Sequence, residues 1–147
     1  MRKLVFLIVI FLGAKSALFS QQKISWNDLT DVQFSNVYNA NYDEYFLKPA
    51  FGTSLASLEG KKVSLRGYFL DFSSDEDPFF MVSRNPMASC FFCGGSGPES
   101  IVEVMFIKRP KYKTDQIVEV IGILELNDDD VDHCNYILKE ATGRLIE

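Results

Sequence analysis

Lys61-Lys62-Val63-Ser64-Leu65-Arg66-Gly67-Tyr68-Phe69-Leu70-Asp71-Phe72 is the stretch on which the fold turns. Val63, Leu65, Gly67 and Phe69 recur at every second position, with Ser64, Arg66 and Tyr68 between them. Successive strand side chains point to opposite faces, so this spacing predicts a half-buried strand. Gly67 sits in its middle, where a residue without a side chain marks a sharp bend. Four further strands follow at 79–83, 101–107, 117–126 and 136–146. In the second of these Val102, Val104 and Phe106 face one way, and Gly122 lies inside the third. The Ser-Asp run at 73–78 is a turn, 84–100 a long loop, and 108–115 a basic connection that Pro110 keeps from being much of a helix. An acidic turn at 127–132 precedes the last strand. Five strands with a glycine-bent first one fit a mostly β fold, a five-stranded OB-like Greek-key barrel. A small β-sandwich is the alternative.

Working outward, residues 23–52 are polar and rich in Asn and Tyr, with Trp26, Leu29, Val32, Phe34, Val37 and Tyr38 as scattered apolar anchors. Neither a period of two nor one of 3.6 prevails there. The segment reads as an extension packed on the barrel, with at most one short helix or strand, punctuated by Pro49 and Gly52. Residues 54–58 read as a single helical turn stopped by Gly60.

The start of the chain has a different character. Arg2 and Lys3 precede an apolar run from Leu4 to Ala14, followed by Ser16, Ala17, Ser20 and the polar pair Gln21-Gln22. That three-part order is the pattern of a cleaved secretory signal peptide. Eleven apolar residues fall short of the roughly twenty that span a bilayer, so no stable transmembrane span is expected after cleavage. The first cysteine is Cys90, which excludes a lipoprotein anchor. The expected organisation is a signal peptide at 1–20, the extension at 21–57 and the barrel domain at 58–147. The expected location is the periplasm or the exterior.

With 47% hydrophobic and 24% charged residues the chain is globular rather than disordered, and thirteen Phe and six Tyr suit a β core. The net charge is −5. Arg2, Lys3 and Lys15 belong to the leader, so its removal makes the chain more acidic still. Phosphate neutralisation dominates nucleic-acid affinity, so nucleic acid is not an expected partner.

Leu58-Glu59-Gly60-Lys61-Lys62-Val63 and Arg66-Gly67-Tyr68-Phe69 resemble the start of the barrel in small exported bacterial OB-fold-like proteins. The loop Ser89-Cys90-Phe91-Phe92-Cys93-Gly94-Gly95, followed by Gly97-Pro98-Glu99-Ser100, is similar to that of an uncharacterised, Bacteroidetes-like group of them. A broader exported family has a proline-rich loop where this chain has residues 95–99. The resemblance implies the fold and export, and no activity.

The Cys-x-x-Cys-Gly-Gly loop is the chemically distinctive feature. Cys90 and Cys93 have the spacing of half a metal knuckle, in which two thiolates converge on one ion and the following glycine permits the tight turn. Zinc is the metal that such a site would take. It wants four ligands, and His133 and Cys134 are the only other soft candidates. Three readings stay open for the pair: a disulfide or free thiols stapling a loop in an oxidising compartment, a metal site, or redox chemistry. Gly94, Gly95 and Pro98 work against the helix that would activate a redox cysteine. His133 is the only histidine, so any His-dependent catalysis must use it. Asp128, Asp130 and Asp132 take the first three positions of an EF-hand-like loop. His133 then stands where Gly is needed and Lys139 where Glu is needed, so the run reads as a solvated turn.

Lys108, Arg109, Lys111 and Lys113 form a basic patch around Tyr112, read as a solvated loop. Phe79 and Phe80 suit the core, whereas Phe91 and Phe92, if exposed, mark an interaction surface. The sequence thus points to an exported, non-enzymatic binding or accessory module of the cell envelope. Its functional surface is the loop carrying Phe91, Phe92, Gly94 and Gly95, and its partner is an envelope protein or a small ligand. The alternatives are a metal- or thiol-dependent protein using Cys90, Cys93 and His133 or Cys134, and a structural subunit of an envelope complex.

Overall fold

The computed structural model describes residues 21–74 and 76–146, and the leader read over 1–20 lies outside the described residues. In chain order the elements are β1 (Gln22–Lys23), a 3-10 turn (Trp26–Thr30), β2 (Val32–Asn39), β3 (Glu44–Phe51), α1 (Thr53–Ala56), β4 (Lys62–Asp71) and β5 (Phe80–Ser83). Three 3-10 turns follow (Met87–Ser89, Phe91–Cys93, Pro98–Ser100), then β6 (Ile101–Phe106), β7 (Ile117–Leu126) and β8 (Tyr136–Leu145). All five expected barrel strands are present, each within one or two residues of its expected ends.

Pairing runs β4–β5–β6–β8–β7 and returns to β4. Only β6 and β8 are parallel in that circuit; the other four pairs are antiparallel. The circuit closes because β4 pairs with β7 along Lys62–Tyr68 and with β5 along Tyr68–Asp71. A closed sheet has no free edge, so the fold is the OB-like barrel and not the sandwich. Short β1 adds a sixth strand, parallel to β4.

The alternation in β4 works as its spacing requires. Val63, Leu65 and Phe69 point into the barrel, where they meet Val82, Val102, Val104, Val118, Val120 and Leu138. A Cβ at Gly67 would stand 2.5 Å from the Ser83 carbonyl oxygen and 2.8 Å from the Trp26 ring. Only glycine permits that approach, and the Trp26 Nε1–H donates to the Arg66 carbonyl at 2.9 Å across the bend.

The segment before the barrel carries more structure than the sequence suggests. In place of at most one short element, β2 and β3 form a hairpin of two eight-residue strands. Its register pairs Val32 with Phe51, Phe34 with Pro49, Asn36 with Leu47 and Tyr38 with Tyr45, and directly opposed residues share a face. The other face carries Val37 opposite Phe46. Apolar residues on both faces erase the period-two signal, which explains the difference. Ile24, Leu29, Leu55 and Leu58 join the barrel core, and the Tyr136 hydroxyl donates to the Leu29 carbonyl at 3.0 Å. Each such buried side chain stabilises the fold by roughly 1.5–3 kcal/mol relative to exposure.

Residues 107–116 connect β6 to β7 without a helix, as Pro110 dictates. Tyr112 turns inward against Phe69, ring centroids 5.4 Å apart, while Lys108, Arg109, Lys111 and Lys113 stay exposed. Among the described residues no helix is long and apolar enough to cross a membrane.

Candidate functional site

Three segments far apart in sequence converge outside the barrel, on the β5–β6 side. They are the β2–β3 hairpin, the cysteine loop between β5 and β6, and the acidic loop between β7 and β8. They enclose an open groove of about 670 Å³. Val37 and Phe46 contribute to its apolar wall from one hairpin face, and most of that wall comes from the other. At the base of that face Val32 and Phe51 pack on the barrel core and Pro49 is buried. Towards the tip the same face continues past its support, leaving Leu47, Tyr45 and Tyr38 over the groove, with Tyr45 72% exposed. Phe91 and Phe92 face them from the cysteine loop. Phe92 is 53% exposed and packs edge-on against Phe72 and Phe91, at 5.3 Å each.

The opposite wall is the acidic loop, and Asn127 builds it. The Asn127 side chain is buried, accepts from the Asp130 N–H at 2.9 Å, and donates to the Asp130 and Cys134 carbonyls at 2.7 and 3.2 Å. Self-satisfied in this way, the loop holds its carboxylates outward. Two contacts tie it to the hairpin: Lys48 Nζ lies 3.8 Å from Asp128, and the Tyr42 hydroxyl lies 3.3 Å from Asp132.

Beneath that wall lies Glu103, a buried acid on β6. Its side chain points away from the barrel interior, opposite to Val102 and Val104. One oxygen accepts from His133 Nδ1 at 2.9 Å, and the other accepts from the Cys134 N–H at 3.0 Å. The hydrogen bond from His133 to Glu103 holds the imidazole above its ordinary titration range, and the charges of Glu103, Asp130 and Asp132 add to the effect. Both available oxygens of a buried acid are thereby satisfied.

The cysteine loop is a chain of tight turns. Cys90 is fully buried with Leu70, Met81 and Ile101, and Cys134 packs against the same small cluster. Cys93 is exposed, its thiol directed at the Met87 carbonyl at 3.1 Å. Gly94 closes the Phe91–Cys93 turn at φ +74, a left-handed conformation that glycine adopts without strain, and a Cβ at Gly95 would lie 2.5 Å from the Ser89 carbonyl oxygen. The Cys93 thiol is pushed up by desolvation and by the neighbouring Cys90, and burial beside Glu103 pushes the Cys134 thiol up to about 12. Neither is a ready thiolate.

No family model, curated protein or solved structure matches the chain.

Of the residues singled out from sequence, Cys90 and Cys93 sit side by side and Cys134 approaches the same cluster from the loop before β8. His133 goes elsewhere, to Glu103. Among the described residues no three His, Cys, Asp or Glu side chains are grouped so as to hold a metal ion. Phe91 and Phe92 line the groove, while Phe80 is buried in the barrel. Sequence reasoning missed Glu103, Asn127 and the hairpin tyrosines. Glu103 carries a signal of sorts, an acid at the centre of the apolar stretch Ile101-Val102-Glu103-Val104. Alternation assigns it to the outer face, and an outer position is read as solvated by default.

Proposed function

We propose that this protein is an exported, non-enzymatic binding or accessory module of the cell envelope, and that its partner sits in the groove beside the Cys90–Gly95 loop. The observation that carries this reading is the distribution of exposed apolar side chains. Of the ten large ones among the described residues, five line the groove: Val37, Tyr38, Tyr45, Leu47 and Phe92. Isolated exposed hydrophobes are ordinary, but their convergence on one concave surface is the mark of an interaction site. The groove also reaches the start of the third barrel strand at Ile101 and is lined by the loop joining the last two strands, a loop by which OB barrels take ligands.

Support for chemistry is weaker. The thiol nearest His133 is that of Cys134, whose burial keeps it protonated, and the imidazole is engaged by Glu103. Export rests on the basic, apolar and small-residue order of residues 1–20. A photo-cross-linking residue in place of Phe92 tests the reading in cells. Discrete adducts at position 92, absent with the same residue at exposed Glu140, are the expected result. Equal, diffuse labelling at both positions would overturn it.

A further inference from the structure

We propose that the occupant of the groove is the basic loop of a second copy of this chain, which makes the protein a head-to-tail self-assembling subunit. The inference rests on the groove being the binding surface and adds the identity of the partner.

The acidic wall is under-neutralised. Asp128 has Lys48 as its partner, but among the described residues Asp129, Asp130 and Asp132 form no ion pair. The groove therefore presents exposed carboxylates opposite an aromatic and aliphatic wall, and a fitting ligand is cationic with apolar contacts. The chain carries such a ligand in Ile107-Lys108-Arg109-Pro110-Lys111-Tyr112-Lys113. Ile107 is 63% exposed. Lys108, Arg109, Lys111 and Lys113 are all exposed, and none is ion-paired among the described residues. Tyr112, wedged against Phe69 and Phe106, and Pro110 hold the loop in shape with Lys108, Lys111 and Lys113 exposed, while the exposed Arg109 rests its guanidinium 5.8 Å from the Phe80 ring centroid. Pre-organisation of this kind lowers the entropy lost on binding.

The cysteine-loop side of the groove reaches the basic connection, where the Met87 N–H donates to Asp115 Oδ1 at 2.7 Å. The acidic wall and the basic loop, however, lie at opposite ends of the barrel, so a copy cannot bring its own cations to its own carboxylates. The basic loop adjoins the end of β4, where the Asp115 N–H donates to Phe69 O at 2.8 Å. The acidic loop springs from the other end, where the Gly60 N–H donates to Leu124 O at 2.8 Å and the Leu126 N–H to Glu59 Oε2 at 2.8 Å. Groove on one copy and loop on the next make a heterologous interface, which propagates into a ring or an open chain. The overall charge of −5 opposes association, and the local pairing of opposite charges offsets it where the two ends meet.

Sedimentation velocity on the purified protein and two neutralised variants tests this. Arg109→Gln with Lys111→Gln removes charge from the loop; Asp129→Asn with Asp130→Asn removes it from the groove and keeps the Asn127-organised turn. Wild type is expected to form concentration-dependent species larger than a dimer. Each variant alone is expected to associate at least tenfold more weakly while melting like wild type. Mixed one to one, the variants should give a capped heterodimer and nothing larger, because each retains one working half. Wild type that stays monomeric to about 1 mM, or variants that associate as it does, would overturn the proposal. Monomeric wild type that still cross-links a different envelope protein through position 92 removes the second copy and leaves the groove as a binding site. Monomeric protein without such adducts removes both.

Discussion

Two sets of aromatic rings in this molecule have nearly the same composition and opposite fates. Phe69, Phe80, Phe106 and Tyr112 form a mutually packed set, with centroids 5.4 to 6.3 Å apart, inside and under one end of the barrel. Phe72, Phe91, Phe92, Tyr38 and Tyr45 pack at similar spacings, 5.3 and 5.4 Å, but on the outer surface around the groove. Three rings of the inner set stand on strands that are paired on both sides, and Tyr112 reaches them from the β6–β7 connection that closes over that end of the barrel. The outer set stands on a hairpin with only one pairing per strand, on a loop of 3-10 turns and, at Phe72, just past the end of β4. Pairwise ring geometry is therefore no guide to which set stabilises the fold. What decides is whether the backbone beneath the rings is closed.

The largest expected effect lies at the closed end of this contrast. Val104 and Val120 are 2% and 0% exposed inside the barrel. Replacing either with Asp buries a charge without a partner. That costs several kcal/mol, comparable with the whole stability of a domain, about 5–15 kcal/mol. Neither variant should give a cooperative melt. Asp at exposed Tyr45 should leave the melt nearly unchanged. A cooperative transition for the Val variants would break the assignment of these strands to the core.

A milder substitution sharpens the same contrast. Phe69→Ala removes a fully buried ring and should lower stability by about 3–5 kcal/mol in urea unfolding. Phe92→Ala, at a half-exposed ring, should fall within about 0.5 kcal/mol of wild type and yet weaken the adducts formed by a photo-cross-linking residue placed across the groove at Tyr45. Equal losses from the two would mean that the outer set is a second structural core.

Legibility from sequence follows this division. The barrel strands could be read because their apolar residues recur at alternate positions towards a filled interior, as Val63-Leu65-Phe69 and Val102-Val104-Phe106 do, and because the short, fully buried β5 is a compact apolar run. The hairpin could not, because Val37 and Phe46 place apolar residues on the face opposite Tyr38 and Tyr45. The cysteine loop is recognisable by composition, and the exposure of Phe92, which composition leaves open, comes from the structure. The true base of the acidic wall was not recognisable. Glu103 and His133 are thirty residues apart, and only the parallel β6–β8 pairing brings their segments together. Nothing local encodes that contact.

The Glu103–His133 pair supplies a pH-dependent difference between the two regions. The His133 pKa is raised in the folded state above 6.5, first by its hydrogen bond to Glu103. A raised value means stabilisation that is fully present below the ordinary pKa and lost as pH rises through the folded one. The urea midpoint of wild type should therefore exceed that of Glu103→Gln most at about pH 6, with the gap narrowing towards about pH 9. The imidazole pKa of that variant, followed by NMR, should drop towards its ordinary value. The midpoints of Phe69→Ala and wild type should keep a constant separation over the same range, since no titrating group is involved. An unshifted imidazole in Glu103→Gln would remove the pair as the determinant of the acidic wall.

The smallest effect expected is one of rate, at the cysteines, and it separates the remaining chemical readings of the loop. Cys93 is exposed, but desolvation and the Cys90 thiol raise its pKa, so the thiolate is scarcer than in a free cysteine. Under reducing conditions at neutral pH, iodoacetamide should modify Cys93 alone, and more slowly than it modifies a small free thiol. Cys90, with no exposed surface, and Cys134, pushed up to about 12, should react only after unfolding. A zinc knuckle requires a different pattern: one metal per chain, and protection of Cys90 and Cys93 together until a chelator is added. A redox pair requires a third, in which Cys93 reacts faster than a free thiol and exchanges readily with oxidised glutathione. The buried Cys90 and the unactivated thiol of Cys93 favour the first pattern, in which the two residues shape the turn that carries Phe91 and Phe92 to the groove. Stoichiometric zinc that protects both thiols would instead make the loop a metal centre and the aromatic wall its by-product.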